Sequence, residues 1–280
     1  MKARVSLLAS LKRYFKGLQP INISIKSEIV SPNNLLSGKT AVVTGASRGI
    51  GLTIAKIYVE HGATVIAIAK NSKTLLEGKK FINSDRYIPI DFDLTNFEQY
   101  QELYETIVSK APLGIIDILV NSAGLKNGQE EKFWEFNAEE FDACIAVNAK
   151  APFFLSRMIA KNMILNKVNG SIINIGGIKS FIGEASPYSM SKFAQNSLTK
   201  GLARMLAPYN ICVNGISPGA TNTNGLDNIF LSDTPNGRYA MPEEIANIAL
   251  LLASNLTRSM VGSIVVCDGG EMLQYRNNRF

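Results

Sequence analysis

The chain predicts one α/β domain built on a doubly wound parallel sheet of about seven strands, with helices on both faces. Two observations carry this. Short, unbroken apolar runs recur from Gly38 onward with helical stretches between them; strands covered on both faces read as continuous apolar runs, and alternation with crossover helices makes a sheet parallel. The first apolar run also ends in a glycine-rich turn that opens a helix. A length of 280 residues suits a single domain of this class.

In order, Thr40–Thr44 reads as the first strand and Ile50–His61 as the first helix. Thr64–Ala69 and Tyr87–Ile90 are the next two strands, followed by a helix over Phe97–Lys110. Ile116–Asn121 is a fourth strand, and a long helix covers Ala138–Lys161. Ser171–Ile175, a helix over Ser189–Leu206, Ile211–Ile216, a helix over Pro242–Ser254 and a last strand, Ser263–Cys267, complete the series. No apolar run approaches the ~20 residues of a membrane span.

Between strand one and helix one stands Thr44-Gly45-Ala46-Ser47-Arg48-Gly49-Ile50-Gly51. Gly45 permits a tight turn, Gly49 lets the backbone approach a phosphate, and Gly51 allows close helix–sheet packing. The helix N-terminus then offers free N–H groups and a positive dipole end to a pyrophosphate, the Rossmann arrangement for a dinucleotide. The second strand ends Ala69-Lys70-Asn71-Ser72-Lys73, with lysines where an acid would select the 2′-hydroxyl of NAD. With Arg48 in the turn, the local charge suits a 2′-phosphate, so NADP(H) is expected in preference to NAD(H).

Tyr188-Ser189-Met190-Ser191-Lys192 sets a phenol four residues ahead of an ammonium. These positions share a helix face, where the lysine is expected to draw the tyrosine's pKa down from its usual ~10 and so make it a general acid or base. Alone the spacing is common; downstream of the glycine turn it gains meaning.

Composition narrows the field. The net charge is +6, and residues 1–26 hold six basic residues (Lys2, Arg4, Lys12, Arg13, Lys16, Lys26) and no acid. The remainder is near neutral, which gives no support to a nucleic-acid partner. The three cysteines, Cys144, Cys212 and Cys267, are scattered and read as buried apolar residues in a reducing compartment. The single histidine, His61, reads as a helix C-cap; with one histidine, a Ser-His-Asp hydrolase or a histidine zinc site is hard to build, and no metal is expected. Residues 1–36 are a basic extension and linker, and residues 37–280 the catalytic domain. Within the extension, Val5, Leu8, Leu11, Phe15 and Leu18 make an amphipathic pattern over residues 1–19. Three readings stand: a helix lying on an anionic membrane, a helix docked on a partner subunit, or a solvated leader.

These motifs together resemble the short-chain dehydrogenase/reductase family in its classical branch, over roughly residues 38–270, with the 3-oxoacyl-acyl-carrier-protein reductase-like members nearest. The resemblance implies that Gly45, Ser47, Arg48, Gly49, Ile50 and Gly51 hold a nicotinamide cofactor with Lys70, and that Asp93 and Leu94 meet its adenine. Asn121, Ala123 and Gly124 belong to Asn121-Ser122-Ala123-Gly124, similar to the family's NNAG motif. Pro218, Gly219, Thr221 and Thr223 would hold the nicotinamide carboxamide. Tyr188 would protonate the alkoxide formed by hydride transfer. Lys192 would assist it and bind the nicotinamide ribose, and Asn148 would order a proton-relay water. Asp268-Gly269-Gly270 matches the closing motif. The implied activity interconverts a carbonyl and a secondary alcohol of 3-oxoacyl, sugar or ketone type. A cytoplasmic homotetramer or homodimer is implied as well, membrane-associated if residues 1–19 so act.

One position departs from the family. It places a serine at the end of the fifth strand to polarise the carbonyl; aligning strands puts Gly177 there, and counting thirteen back from Tyr188 gives Ile175. Either Ser180 takes the role, or a backbone N–H serves at a cost in rate, or the chain is a cofactor-binding scaffold that has lost turnover. The segment Thr221–Gly237, with Leu226, Ile229, Phe230 and Leu231, is expected to cover the substrate.

Overall fold

The computed structural model describes residues 34–126, 133–225 and 234–273. The expected amphipathic helix of residues 1–19 and the apolar residues 226–231 of the substrate cover lie outside them. The strands are β1 (Thr40–Thr44), β2 (Thr64–Ala69), β3 (Tyr87–Asp91), β4 (Ile118–Asn121), β5 (Ser171–Ile175), β6 (Cys212–Pro218) and β7 (Ile264–Cys267). They form one seven-stranded sheet in the order β3-β2-β1-β4-β5-β6-β7, every pairing parallel. The order reverses beside β1, which opens a crevice at the C-terminal ends of β1 and β4, where such sheets take their ligands.

The helices are α1 (Gly49–Glu60), α2 (Ser72–Ile82), α3 (Tyr100–Lys110), α4 (Ala138–Ile145), α5 (Ala151–Leu165), α6 (Pro187–Leu206) and α7 (Pro242–Ala253). Alternation along each strand sorts the core into two layers. Ala41, Val43, Val65, Ala67, Ile118, Val120 and Ile173 face Ile54 and Tyr58 of α1 and Ile245 and Ala249 of α7. Val42, Ile66, Leu119, Ile172 and Val213 face Leu103 and Ile107 of α3, Leu155 and Ile159 of α5 and Leu206 of α6. Burying each such aliphatic side chain stabilises the fold by roughly 1.5–3 kcal/mol.

Local sequence explains the ends. Asn137 caps α4, accepting from Glu140 N–H at 2.8 Å, while Glu140 accepts from Asn137 N–H at 3.4 Å, a reciprocal box. Ser186 caps α6, accepting from Ser189 N–H at 3.1 Å, and Pro187 supplies a preset first turn. His61 stands at the C-cap of α1, as expected.

Two expectations are corrected. A helix, α2, lies between β2 and β3 where none was read; Asn71 starts it by accepting from Thr74 N–H at 3.1 Å. Its apolar content is slight, with Leu75, Leu76, Phe81 and Ile82 set among lysines and polar residues. The single helix expected over Ala138–Lys161 is interrupted by a π turn at Ala146–Lys150. The helical run Ala138–Leu165 also meets the length and hydropathy of a membrane span, at mean hydropathy 1.2. Its Leu155, Ile159 and Met163 are fully buried against the sheet, the packing of a core helix.

Candidate active site

The cofactor cleft is built by close backbone approach. Gly45 has φ +67°, and a Cβ there would lie 2.8 Å from Ala123 Cα; at Gly51 a Cβ would lie 2.3 Å from Gly45 O. Both positions therefore exclude a side chain. The hydroxyl of Thr44 accepts from the N–H groups of Ser122 and Ala123, each at 3.0 Å, and so ties the turn after β4 to the end of β1. From the other side Tyr87 donates to Ala46 O at 3.0 Å. Arg48 is the N-cap residue of α1 and no side chain caps that helix, which leaves first-turn N–H groups to meet an anion. Thr223 closes the cleft: a Cβ at Gly49 would meet its Cβ at 3.1 Å. The glycine turn and the Pro218–Thr223 segment, far apart in sequence, thus face one another, and this cradle fits a nicotinamide dinucleotide.

At the rim, Asp93 accepts from the Thr95 N–H at 2.9 Å and its hydroxyl at 2.8 Å. The Thr95 N–H, more than the nearby Lys70 ammonium, holds its carboxyl below the usual carboxylate range. Arg48, Lys70 and Asp93 are exposed there. Two expected cofactor residues are turned inward. Leu94 is 7 % exposed and packs in the core. Asn121 is buried, donating to Asn174 Oδ1 at 2.8 Å and Ser156 Oγ at 3.2 Å.

The proton-handling residues converge beneath this cleft. Lys192 is 3 % exposed and donates to Ile175 O at 3.1 Å and Gln195 Oε1 at 3.0 Å. Its ammonium lies 5.5 Å from the centroid of the Tyr188 ring. Asn148 sits in the π turn, fully buried. Its Oδ1 accepts from Leu125 N–H at 2.8 Å, and its Nδ2 lies 2.8 Å from Leu125 O and 2.9 Å from Ser191 Oγ. Ser191 in turn donates to Tyr188 O at 2.7 Å. Asn148 therefore clamps the loop after β4 to the first turn of α6. A π turn displaces helical carbonyls from their partners, a frequent device at functional sites.

The electrostatics depart from expectation. Tyr188 is pushed up to about 12, by burial first and by the Cys144 thiol and Glu184 after it. Lys192 is pulled down to about 8 by burial. The lysine's hydrogen bonds go to neutral acceptors, so desolvation outweighs its pull on the phenol.

At the position left open by the departing serine, Gly177 brings its backbone close to the phenol: a Cβ there would lie 3.4 Å from Tyr188 Oη. Ser180 does not fill that space. It is 2 % exposed and donates to Gly177 O at 2.7 Å, with Ser217 Oγ at 3.4 Å.

Sequence reasoning missed Thr44, Ser191, Gln195 and Lys126. Gln195 follows Lys192 by three residues on one helix, a spacing that could have marked it. Among the described residues its buried Nε2 has no partner. Lys126 holds its ammonium 5.7 Å from the Tyr188 ring centroid, a meeting that only the fold produces. Cys144 and Cys212 are buried and Cys267 half-buried, and the described residues contain no metal-ligating cluster.

The family model described as short chain dehydrogenase matches residues 39–233. The chain is 35 % identical over 248 residues to a 3alpha-hydroxysteroid dehydrogenase of Mediterraneibacter gnavus, covering 84 % of this chain and 97 % of that protein. It is 31 % identical to gluconate 5-dehydrogenase of Gluconobacter oxydans, covering 84 % and 95 %. It is 33 % identical to a 3-oxoacyl-acyl-carrier-protein reductase of Thermotoga maritima, covering 84 % and 98 %. A crystal structure of a short-chain type dehydrogenase/reductase from Mycobacterium marinum superposes with a TM-score of 0.78 at 33 % identity, covering 84 % and 96 %.

Proposed function

From the premise that this chain belongs to the short-chain dehydrogenase family, an oxidoreductase family acting on hydroxyl and carbonyl groups, we propose that it is an NADP(H)-dependent carbonyl reductase using Tyr188, Lys192 and Asn148. The observation that carries the reading is the convergence of Tyr188 and Lys192 beneath the cradle formed by Gly45, Gly49, Gly51 and Thr223. The relatives' named substrates, a steroid, a sugar acid and a carrier-bound oxoacyl group, share a secondary alcohol or ketone.

The cofactor supplies the hydride. Tyr188 donates its proton to the oxygen that gains charge, and Lys192 stabilises the phenolate left behind. Asn148 holds the loop and helix that frame this pair. With its pKa near 12, Tyr188 is protonated across the working range, the state reduction needs; in oxidation only about one phenol in 10⁵ is ionised at pH 7. Reductive kcat/KM is therefore expected to fall as pH rises through about 8, where Lys192 loses its charge. Oxidative kcat/KM should still climb with pH below about 12. A reductive pH profile flat from 7 to 10 would remove Lys192 from this role.

Arg48 and Lys70, with no acid at the end of β2, support NADP(H). Replacing both by alanine is expected to weaken NADPH at least tenfold, on the order of one charged hydrogen bond or more, and to leave NADH affinity within about twofold. Equal wild-type affinity for the two cofactors, measured by fluorescence titration, would refute the preference.

A second reading, cofactor binding without turnover, is favoured by one observation: no serine hydroxyl stands at Gly177, and that of Ser180 is bonded to the Gly177 carbonyl. Tight NADPH binding with no turnover across steroid, sugar-acid and oxoacyl ketones would select it.

A further inference from the structure

Two ammonium groups lie over the Tyr188 ring, and they differ in kind. That of Lys192 is buried and hydrogen-bonded within the protein. That of Lys126, at 5.7 Å from the ring centroid, belongs to an exposed side chain. A third lysine, Lys179, is already ion-paired with Glu184. Ser189 closes that loop, donating to Lys179 O at 2.9 Å and accepting from Glu184 N–H at 3.2 Å.

Among the described residues, no carboxylate lies within ion-pair distance of Lys126. Glu184 and Glu271 act on it from farther away, and Lys179 opposes its charge. Its placement is fixed from below, because Asn148 grips both the N–H and the C=O of the preceding residue, Leu125. An ammonium held over a phenol beside a second ammonium, with no carboxylate among the described residues in direct contact, is only partly compensated by the aromatic face. An arriving anion would complete it.

We propose that Lys126 is the anion-binding residue of the substrate site, and that the substrate is a short carbonyl compound bearing a carboxylate a few bonds from its carbonyl: an oxo-acid, or the hydroxy acid in reverse. This rests on the carbonyl-reductase reading and narrows it. The reacting oxygen must come within hydrogen-bond reach of Tyr188 Oη. A lysine whose ammonium overhangs the same ring can reach a carboxylate of that molecule only when the two groups are close together. The arrangement favours a compact acid over a long carrier-bound acyl chain or a steroid.

The test uses the full chain with the cofactor and a series of oxo-acids, 5-keto-gluconate and 4-oxopentanoate among them, each beside its methyl ester. Wild type is expected to favour the acid of at least one pair. Lys126→Gln should lower that acid-to-ester ratio of kcat/KM on the order of 10- to 100-fold, the weight of one hydrogen bond to a charged group, and Lys126→Arg should restore most of it. A wild-type preference for esters overturns the proposal. So does a ratio that Lys126→Gln leaves unchanged, which would make the lysine structural. If neither acids nor esters are reduced, the carbonyl-reductase reading fails by itself. The anion site is then decided by gluconate: raising the melting temperature of the wild-type cofactor complex but not that of Lys126→Gln supports it, and no rise in either overturns it.

Discussion

Tyr188→Phe is expected to lower kcat for carbonyl reduction by about 10²–10⁴, the usual worth of a positioned general acid. The variant removes one oxygen from a half-buried ring that has the Lys126 and Lys192 ammonium groups 5.7 Å and 5.5 Å from its centroid, so its fold should survive, with a melting temperature close to wild type. The effect should fall on kcat more than on KM, since the proton moves only as the hydride arrives. Steady-state kinetics with saturating NADPH, beside circular dichroism of both proteins, measures this. Unchanged turnover in a folded Tyr188→Phe protein would sink the proton-transfer assignment.

Gly177→Ser is expected to raise turnover. The glycine has extended backbone, φ 167°, which any residue adopts. A Cβ there would meet Tyr188 Oη at 3.4 Å and Pro218 O at 3.9 Å, both ordinary contacts. The added hydroxyl would stand beside the phenol, where it can donate to the same carbonyl oxygen. One such donor is worth about 10²–10³ in kcat elsewhere; about 10-fold or more is the expected gain here, since the substrate pose has not adapted to it. Ser180→Ala, by contrast, removes a hydroxyl bonded to Gly177 O and should act on stability before rate. A loss of activity in Gly177→Ser with intact cofactor binding would mean that the substrate itself occupies that space.

Most of the architecture was legible because it depends on period and punctuation. Unbroken apolar strands gave the sheet, and Gly45, Gly49 and Gly51 gave the turn that feeds α1. The helix α2 escaped because its start depends on an Asx cap at Asn71, and because few of its residues are apolar, although those few gather on one face. The π turn escaped because its extra residue changes hydrogen bonding and leaves composition alone. Within the site, the Tyr188–Lys192 spacing does bring the ammonium to 5.5 Å from the ring centroid, yet the sign of the tyrosine's shift is set by burial, which no spacing encodes. Lys126 and Gln195 were invisible for a related reason: their significance lies in what the fold sets opposite them.

The buried amides have one more consequence. Asn121 donates to Asn174, Asn174 to Thr199, and Thr199 to the carbonyl of Gln195, whose side chain receives Lys192. This chain crosses β4, β5 and α6, and Asn121 stands directly opposite Asn174 in the ladder. A strand slipped by one residue would send its asparagine to the other face and strand its partners in an apolar layer, at about 1–3 kcal/mol for each unpaired group. Apolar strands such as Ile-Ile-Asn-Ile tolerate misalignment, because isoleucine fits either neighbour. The asparagines act as a registration pin: they let only one alignment of the three elements form, and that alignment brings Lys192 under Tyr188.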